Sequence, residues 1–185
     1  MVKTKRKSEN TRICNILFVG TGGQGVLTAS EVVGWAAMYD GRHVKKSEVH
    51  GMAQRGGSVE SHLRFGPKTV GAGFKPAQKM AANDRQMVYS PLIPKGKADF
   101  LISFHKDERE RMKDFLKKGG TDLLDALDKA KAAVSDPRFV NTFILGVLSK
   151  HLPIAEENWK KALEQVFKGK RTAENLAVFM QGRNM

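Results

Sequence analysis

The chain has 185 residues, which is enough for one domain with a substantial core, and 41% of them are apolar. It contains no run of eighteen apolar residues and no segment of the secretory type, so we expect a cytoplasmic protein without a membrane span. The 32 Lys and Arg residues outnumber the 19 Asp and Glu residues, which gives a net charge of +13. This excess favours acidic partners, whereas a nucleic-acid binder would concentrate its basic residues in a docking motif, and no such motif occurs.

Cys14 is the only cysteine, and this excludes several kinds of site. An intrachain disulfide needs two thiols, and the usual iron–sulfur clusters and cysteine zinc cages need more. Because Cys14 lies within an apolar run, we expect it to be a small core residue. If the chain belongs to an electron-transferring enzyme, the clusters of that enzyme lie on other subunits.

The first elements along the chain are predicted from apolar periodicity. Residues 1–12 are predicted to be a basic flexible tail, and residues 13–185 a single domain. The apolar run 13–19 predicts a buried strand, and apolar residues at helical spacing predict a helix over 25–39. A short strand is expected at 43–46, and strict alternation predicts another strand at 58–65.

The remaining elements are mostly helical. A strand is predicted at 98–104, and Gly119-Gly120 is expected to end the helix that follows it. Thr121 is the expected N-cap of the next helix. The predicted helices are 77–87, 106–118, 121–133, 141–152, 155–167 and 172–181. This order predicts a three-layer α/β/α sandwich with a largely parallel sheet, a Rossmann-like first βαβ unit and a helical C-terminal third.

A glycine-rich turn separates the first strand from the first helix. Its glycines are Gly20, Gly22, Gly23 and Gly25. Glycine allows a close backbone approach, and the helix directs its unpaired N–H groups into the turn, so the segment suits an anion. Gly20, Gly22 and Gly25 also match the dinucleotide pattern G-x-G-x-x-G, although a tight connection that binds nothing has the same pattern. Gln24 offers its amide to a ligand or faces solvent.

A second loop, 47–58, is rich in polar side chains and lies between the second and third strands. Glu48 is a candidate for the acid that binds a ribose hydroxyl in a dinucleotide site. His50 suits general acid–base chemistry or, alternatively, a hydrogen bond that organises Glu48. Arg55 suits a carboxylate or phosphate, or else a salt bridge between subunits. Glu48, His50 and Arg55 are therefore the catalytic candidates, and no metal-ligand spacing is present.

The two loops together resemble a known family. Gly-Thr-Gly-Gly-Gln-Gly, at 20–25, and Ser-Glu-Val-His-Gly-Met-Ala-Gln-Arg-Gly-Gly-Ser, at 47–58, are similar to motifs of the gamma subunit of 2-oxoacid:ferredoxin oxidoreductases. The similarity is greatest to the branch that acts on indolepyruvate. Ser-Pro-Leu-Ile-Pro, at 90–94, and Asn-Thr-Phe-Ile-Leu-Gly, at 141–146, also resemble segments of this family.

The resemblance implies a subunit that carries no cluster and is inactive alone. Its complex would decarboxylate a 2-oxoacid oxidatively, with an aryl pyruvate such as indolepyruvate as a candidate, and would pass electrons to ferredoxin. Thiamine diphosphate, Mg and the iron–sulfur clusters would lie on companion subunits, and coenzyme A is a possible further ligand. The cofactor-binding residues would be Gly20, Gly22, Gly23, Gln24, Gly25, Gln54, Arg55, Gly56 and Gly57.

One stretch departs from the family pattern. Helical sequence begins almost directly after Gly120, where related proteins have further strand and loop sequence, so the sequence leaves the number of strands open. Two other functions stay open. A free-standing nucleotide- or phosphate-binding protein would bind a dinucleotide without any partner, and a nucleic-acid-binding protein would show strongly salt-dependent retention on DNA or RNA.

Overall fold

The computed structural model of the chain describes residues 12–51, 56–68 and 88–185. In these ranges the chain forms one sheet of five strands and six α-helices. The strands are β1 (Cys14–Thr21), β2 (Arg42–His50), β3 (Ser58–Lys68), β4 (Ala98–Ser103) and β5 (Leu116–Asp122). The helices are α1 (Val26–Tyr39), α2 (Lys106–Met112), α3 (Leu124–Ala133), α4 (Val140–Ser149), α5 (Glu156–Phe167) and α6 (Thr172–Asn184).

The sheet has the strand order β2-β3-β1-β4-β5. β1 pairs in parallel with β4, and β4 pairs in parallel with β5. β3 is antiparallel to both β1 and β2, so β2 runs in the same direction as β1. Four of the five strands therefore share one direction, which confirms the predicted, largely parallel sheet. The first βαβ unit is present, but β3 lies between its two strands.

The core is divided between the two faces of the sheet, as a three-layer sandwich requires. β1 shows the division, because Ile16 and Phe18 point into the larger core whereas Leu17 and Val19 point into the smaller one. Helical residues complete the larger core, including Trp159 of α5, which is fully buried. The smaller core lies beneath α2, which contributes the buried Met112.

The region around Gly119-Gly120 differs from the sequence-based expectation. α2 ends at Met112, and the chain then forms β5, which contains both glycines. A side chain at Gly120 would lie 2.7 Å from Leu116 Cδ1 and 3.1 Å from the carbonyl oxygen of Ala98, so glycine permits this close approach to β4. The prediction of a helix over 106–118 that the two glycines end was therefore wrong, and the strand number that the sequence left open is five among the described residues.

Other helices and strands also begin or end at residues that differ from the predicted ones. Thr121 lies in β5 and is therefore not the N-cap that was predicted for the next helix. At the start of α3, the backbone N–H of Leu124 donates instead to Asp122 Oδ1 at 3.0 Å. β2 and β3 extend beyond their predicted ends. Most of the predicted tail and the predicted helix 77–87 lie outside the described residues. Arg12, the last residue of the predicted tail, forms an ion pair with Asp99 at 3.0 Å.

Candidate functional site

The glycine turn and the second loop meet at one edge of the sheet. The backbone N–H of Gly22 donates to the carbonyl oxygen of Gly57 at 2.9 Å. This contact follows from the antiparallel pairing of β1 with β3, in which Thr21 lies opposite Ser58. The turn that follows β1 is therefore placed against the residues that precede β3. Motifs separated by about thirty residues in sequence form one surface, as strand pairing requires.

Gln24 has a definite place within the turn. The side-chain Oε1 of Gln24 accepts a hydrogen bond from the backbone N–H of Thr21 at 2.8 Å, and the backbone N–H of Gln24 donates to the carbonyl oxygen of Thr21 at 3.2 Å. The amide therefore closes the turn, whereas the sequence left open whether it binds a ligand or faces solvent. Its carbonyl group is committed to the backbone, and the side chain also lines the cavity beside the turn.

Gly25 is the residue of the turn that most clearly requires glycine. It precedes α1 with φ +75°, a conformation that other residues seldom adopt. A Cβ atom there would lie 2.3 Å from Asn141 Nδ2, well inside contact distance. Asn141 is buried in the first turn of α4, and its Nδ2 lies 3.5 Å from the carbonyl oxygen of Gly25. The glycine turn is thus packed directly against α4.

A cavity of about 480 Å³ opens beside the turn. Its lining combines turn residues, apolar side chains and the side chains of Lys131 and Arg138. The N-terminal end of α1 also lies at this cavity through Gly25, and helix N-termini favour negative charge. The apolar part of the wall consists of Phe104, Leu127, Val134, Pro137 and Val140. The arrangement suits a ligand that joins an anionic group to an apolar chain.

The cations near this cavity differ in how far they are balanced. Arg138 pairs with Asp136 at 2.8 Å, and Arg171 pairs with the same carboxylate at 2.8 Å and with Glu174. Hydrogen bonds from Arg138 and then Arg171 hold the pKa of Asp136 well below its ordinary value, so Asp136 is ionised at neutral pH. Two carboxylates therefore balance two guanidinium groups, and Lys131 adds a further positive charge to the lining.

A network of charged side chains fixes the start of β3. Ser58 Oγ donates to Glu108 Oε2 at 2.7 Å, and Arg111 of α2 contacts Ser58, Glu108 and Glu60. His62 Nε2 lies 3.6 Å from Glu60 Oε2. The close contact with His62, followed by the hydrogen bond from Arg111, lowers the pKa of Glu60. The network joins α2 to the strand that follows the second loop.

The polar candidates of the second loop have different positions. Glu48 and His50 are exposed near the end of β2, and Glu48 pairs with Lys46 at 2.7 Å. Because β3 separates β2 from β1, β2 lies two strand spacings, or about 10 Å, from β1. This differs from a dinucleotide site, in which the acidic strand lies beside the glycine strand. Gln54 and Arg55 lie outside the described residues, whereas Gly56 and Gly57 contact the glycine turn.

Eight residues of the cavity lining were not among the sequence-based candidates: the five apolar residues of the wall and the polar or charged Lys131, Arg138 and Asn141. Asn141 opens the segment 141–146 whose resemblance to the family was already visible, so its position was detectable. Lys131 and Arg138 lie on a helix and a short turn that carry no motif, and only the tertiary structure places them beside Gly23 and Gly25. Among the described residues, no three or more His, Cys, Asp or Glu side chains cluster as a metal site.

The described helices include none with the length and apolar character needed to cross a membrane. Comparison with protein-family models matches residues 15–185 to pyruvate ferredoxin/flavodoxin oxidoreductase. The indolepyruvate oxidoreductase subunit IorB of Pyrococcus horikoshii is 36% identical over 167 residues, which cover 89% of this chain and 67% of that protein. The subunit of the same name from Thermococcus kodakarensis is 42% identical over 106 residues, which cover 57% of this chain and 43% of that protein.

Solved structures have the same fold. The gamma subunit of a keto/oxoacid ferredoxin oxidoreductase from Geobacter sulfurreducens superposes with a TM-score of 0.66 at 19% identity, and the match covers 93% of this chain and 95% of that one. The 2-oxoglutarate:ferredoxin oxidoreductase of Magnetococcus marinus, solved with 2-oxoglutarate, coenzyme A and succinyl-CoA bound, gives a TM-score of 0.70 at 19% identity, over 94% of this chain and 31% of that one. The chain thus belongs to the pyruvate ferredoxin/flavodoxin oxidoreductase family.

Proposed function

We propose that the chain is a subunit without clusters in a 2-oxoacid:ferredoxin oxidoreductase. The family match over residues 15–185 supports this role, as do relatives that are themselves named as oxidoreductase subunits. Thiamine diphosphate and Mg would be held by a companion subunit, and iron–sulfur clusters would carry electrons from there to ferredoxin. With a single cysteine, this chain has no set of thiolates for such a cluster.

The part played by this chain is to cover the active centre of its companion with the surface formed by the two loops. The observation that carries this proposal is the hydrogen bond between Gly22 and Gly57, because it joins both family-like motifs beside the cavity that contains Lys131. A surface assembled from two backbone segments and a positive charge suits an anionic substrate or coenzyme. Its residues would bind and orient the ligand and exclude water.

Coenzyme A fits the chemistry of this cavity. Its phosphate groups match Lys131, Arg138 and the N-terminal end of α1, and its flexible arm matches the apolar wall that includes Phe104. The Magnetococcus marinus enzyme has coenzyme A bound in its solved structure. For the 2-oxoacid itself, the relatives named for indolepyruvate favour an aryl pyruvate. The net charge of +13 favours acidic partners such as ferredoxin.

The test is purification of the tagged chain from its native host under anaerobic conditions. The purified material is assayed for iron, for thiamine diphosphate and for dye reduction with pyruvate, 2-oxoglutarate and indolepyruvate, each with and without coenzyme A. We expect companion subunits, both cofactors and activity with one of these acids. Purification of the chain alone, or turnover by the separated chain, would contradict the proposal.

A matched pair of variants tests the cavity within the assembled complex. Lys131→Met removes the charge from the lining, and Lys161→Met removes the same charge from an exposed position on α5 outside it. We expect Lys131→Met to raise the KM of the anionic ligand about tenfold with assembly unchanged, whereas Lys161→Met leaves it unchanged. Equal effects of the two variants would remove this cavity from the proposal. Tight dinucleotide binding by the isolated chain would favour a free-standing nucleotide-binding protein instead.

A further inference from the structure

A second cavity, of about 530 Å³, lies at the end of the sheet opposite the glycine turn. Cys14, the first residue of β1, lines this cavity. Thr21, the last residue of β1, lies seven residue steps of about 3.3 Å each farther along the strand. The two cavities are therefore about 23 Å apart along β1. Nothing in the proposed catalytic role uses this region, and its volume lies within the range of small-molecule sites.

The charges at this cavity centre on Asp99. Its carboxylate accepts hydrogen bonds from Arg12 at 3.0 Å, from Lys117 Nζ and from the backbone N–H of Asn15 at 2.8 Å. Two cationic side chains thus share one carboxylate, and all three side chains line the cavity. An anion placed between Arg12 and Lys117 would balance the remaining positive charge. The carboxylate itself is only 10% exposed, which limits solvent screening of its side of the pair.

A third cation in the wall, Arg42, is paired with Asp40, a carboxylate that it shares with Lys68 at 3.4 Å. The Arg42 side chain is almost fully buried, and its Nε donates to Asp40 Oδ2 at 2.9 Å. A second guanidinium nitrogen donates to the carbonyl oxygen of Pro153 at 2.9 Å, and the group lies 5.6 Å from the centre of the Phe65 ring. Arg42 therefore serves to hold the wall in place, whereas Arg12 and Lys117 are the more exposed cations of the lining and are the ones a ligand can reach.

The rest of the wall is largely apolar, and it contains two rings whose planes are tilted by 54°. The rings of Phe100 and His151 have centroids 6.2 Å apart, and Phe65 and Leu152 complete this side. Burial, followed by the charge of Lys150, lowers the pKa of His151, so its imidazole is neutral at pH 7 and adds no charge to the wall. Aromatic rings favour a planar ligand body through offset or edge-to-face packing.

We propose that this second cavity binds a small carboxylate that carries a flat apolar body. The carboxylate lies between Lys117 and Arg12, and the body packs against Phe100 and His151. Cys14 forms part of the wall and does not react with the ligand, because burial and then Asp99 raise the pKa of its thiol and keep it protonated. This site is independent of the proposed enzymatic role.

The test is titration of the ¹⁵N-labelled full-length chain with phenylacetate, followed by NMR. We expect saturable shifts of the amides of Gly119 and Thr121, which line the second cavity, without matching shifts at Gly23 and Gly25. Phenylacetamide keeps the ring and removes the charge, and acetate keeps the charge and removes the ring. Each of these probes should bind at least about tenfold more weakly than phenylacetate if both parts of the wall contribute.

Variants test which positive charges contribute to phenylacetate binding at the second cavity. Lys117→Met leaves one cation for one carboxylate at Asp99, so phenylacetate should bind about tenfold more weakly. Lys131→Met removes the same charge at the other cavity and should leave binding unchanged. If Lys117→Met unfolds the chain, Arg12→Gln replaces it, since this side chain is 71% exposed, and about a threefold loss is expected. The proposal is overturned if phenylacetate produces no saturable shifts, if phenylacetamide binds equally well, or if Lys131→Met weakens binding as much as Lys117→Met or Arg12→Gln does.

Discussion

The substitution Gly25→Ala tests how the glycine turn is built. Alanine at φ +75° has a conformational cost of about 1–2 kcal/mol. Its methyl group would also lie 2.3 Å from Asn141 Nδ2, so Asn141 would have to move. That movement disturbs the hydrogen bond in which Asn141 Oδ1 accepts from the N–H of Thr142 at 2.8 Å, for about 1 kcal/mol more. We therefore expect a loss of about 2–3 kcal/mol in the free energy of unfolding.

Two neighbouring glycines separate the contributions. Gly23 has φ +92°, but a Cβ atom there would meet nothing within 4 Å, so Gly23→Ala should show the conformational cost alone, about 1–2 kcal/mol. Gly22 has an ordinary φ, and a methyl group there would lie 3.6 Å from the nitrogen of Gly56, so Gly22→Ala should be nearly neutral. The expected order of stability is therefore Gly22→Ala, then Gly23→Ala, then Gly25→Ala.

Thermal unfolding followed by circular dichroism measures these differences. A loss of about 2–3 kcal/mol corresponds to a decrease of about 4–12 °C in Tm for a domain of this size. In the Gly25→Ala background, Asn141→Ala should cost less than it does in the wild-type chain, because it removes the atom that the new methyl group meets. If Gly25→Ala is as stable as Gly22→Ala, or if the two substitutions are simply additive, the contact between the turn and α4 does not constrain the turn in this way.

The remaining predictions concern helix packing, pH and the thiol. Gly146→Ala should lower Tm by more than about 10 °C, because its Cβ would lie 2.1 Å from a backbone oxygen of α6. The matched control is Gly34→Ala, whose Cβ would meet nothing nearer than 3.6 Å, so it should be neutral or stabilising in the same thermal melts. Glu60→Gln should destabilise the fold at pH 7, and urea titrations should show this loss shrinking as the pH falls through the lowered pKa of Glu60. The contact with His62 lowers that pKa below its ordinary 4.5, so the ionised carboxylate stabilises the fold above that pH; a loss that does not change with pH would contradict this. Cys14 is only half-buried and lines the second cavity, but burial of its thiol and then Asp99 raise its pKa, so little thiolate is present at pH 8. It should react with Ellman's reagent far more slowly in the native chain than after denaturation, and equal labelling rates in the two states would disagree.

The sequence predicted the first strand, the glycine turn and the first helix well because their local preferences agree with the tertiary structure. The apolar run at the start of β1 faces two cores, so a continuous apolar pattern was the correct signal for a strand buried on both faces. The helix predicted over 155–167 is likewise present as α5, and its residues Trp159, Ala162 and Leu163 are buried. In these elements the period of the sequence and the direction of burial lead to the same structure.

The sequence could not predict β5, because local and tertiary preferences conflict there. Leu-Lys-Lys-Gly-Gly-Thr-Asp lacks the β-branched and alternating pattern of a strand, and two adjacent glycines normally end a helix. Pairing with the buried β4 overrides this preference, and Gly120 is the residue that allows the backbones to approach. The sequence could not predict the cavity beside the glycine turn either, because Lys131 and Arg138 belong to a helix and a turn that carry no motif of a ligand site.

The strand order also explains why the glycine pattern alone was an incomplete guide to function. G-x-G-x-x-G predicts a dinucleotide site when the two strands of the βαβ unit are neighbours, because the acid at the end of the second strand then reaches the ribose. Here β3 lies between β1 and β2, and its start, near Gly57, occupies the place beside the glycine turn. Glu48 is displaced to an exposed edge strand, where it pairs with Lys46. The surface beside the turn is formed instead by the second loop and α4. Under the proposed function this surface would meet an acidic ligand shared with a companion subunit, whereas a self-contained dinucleotide site would need an acid at the position that β3 occupies.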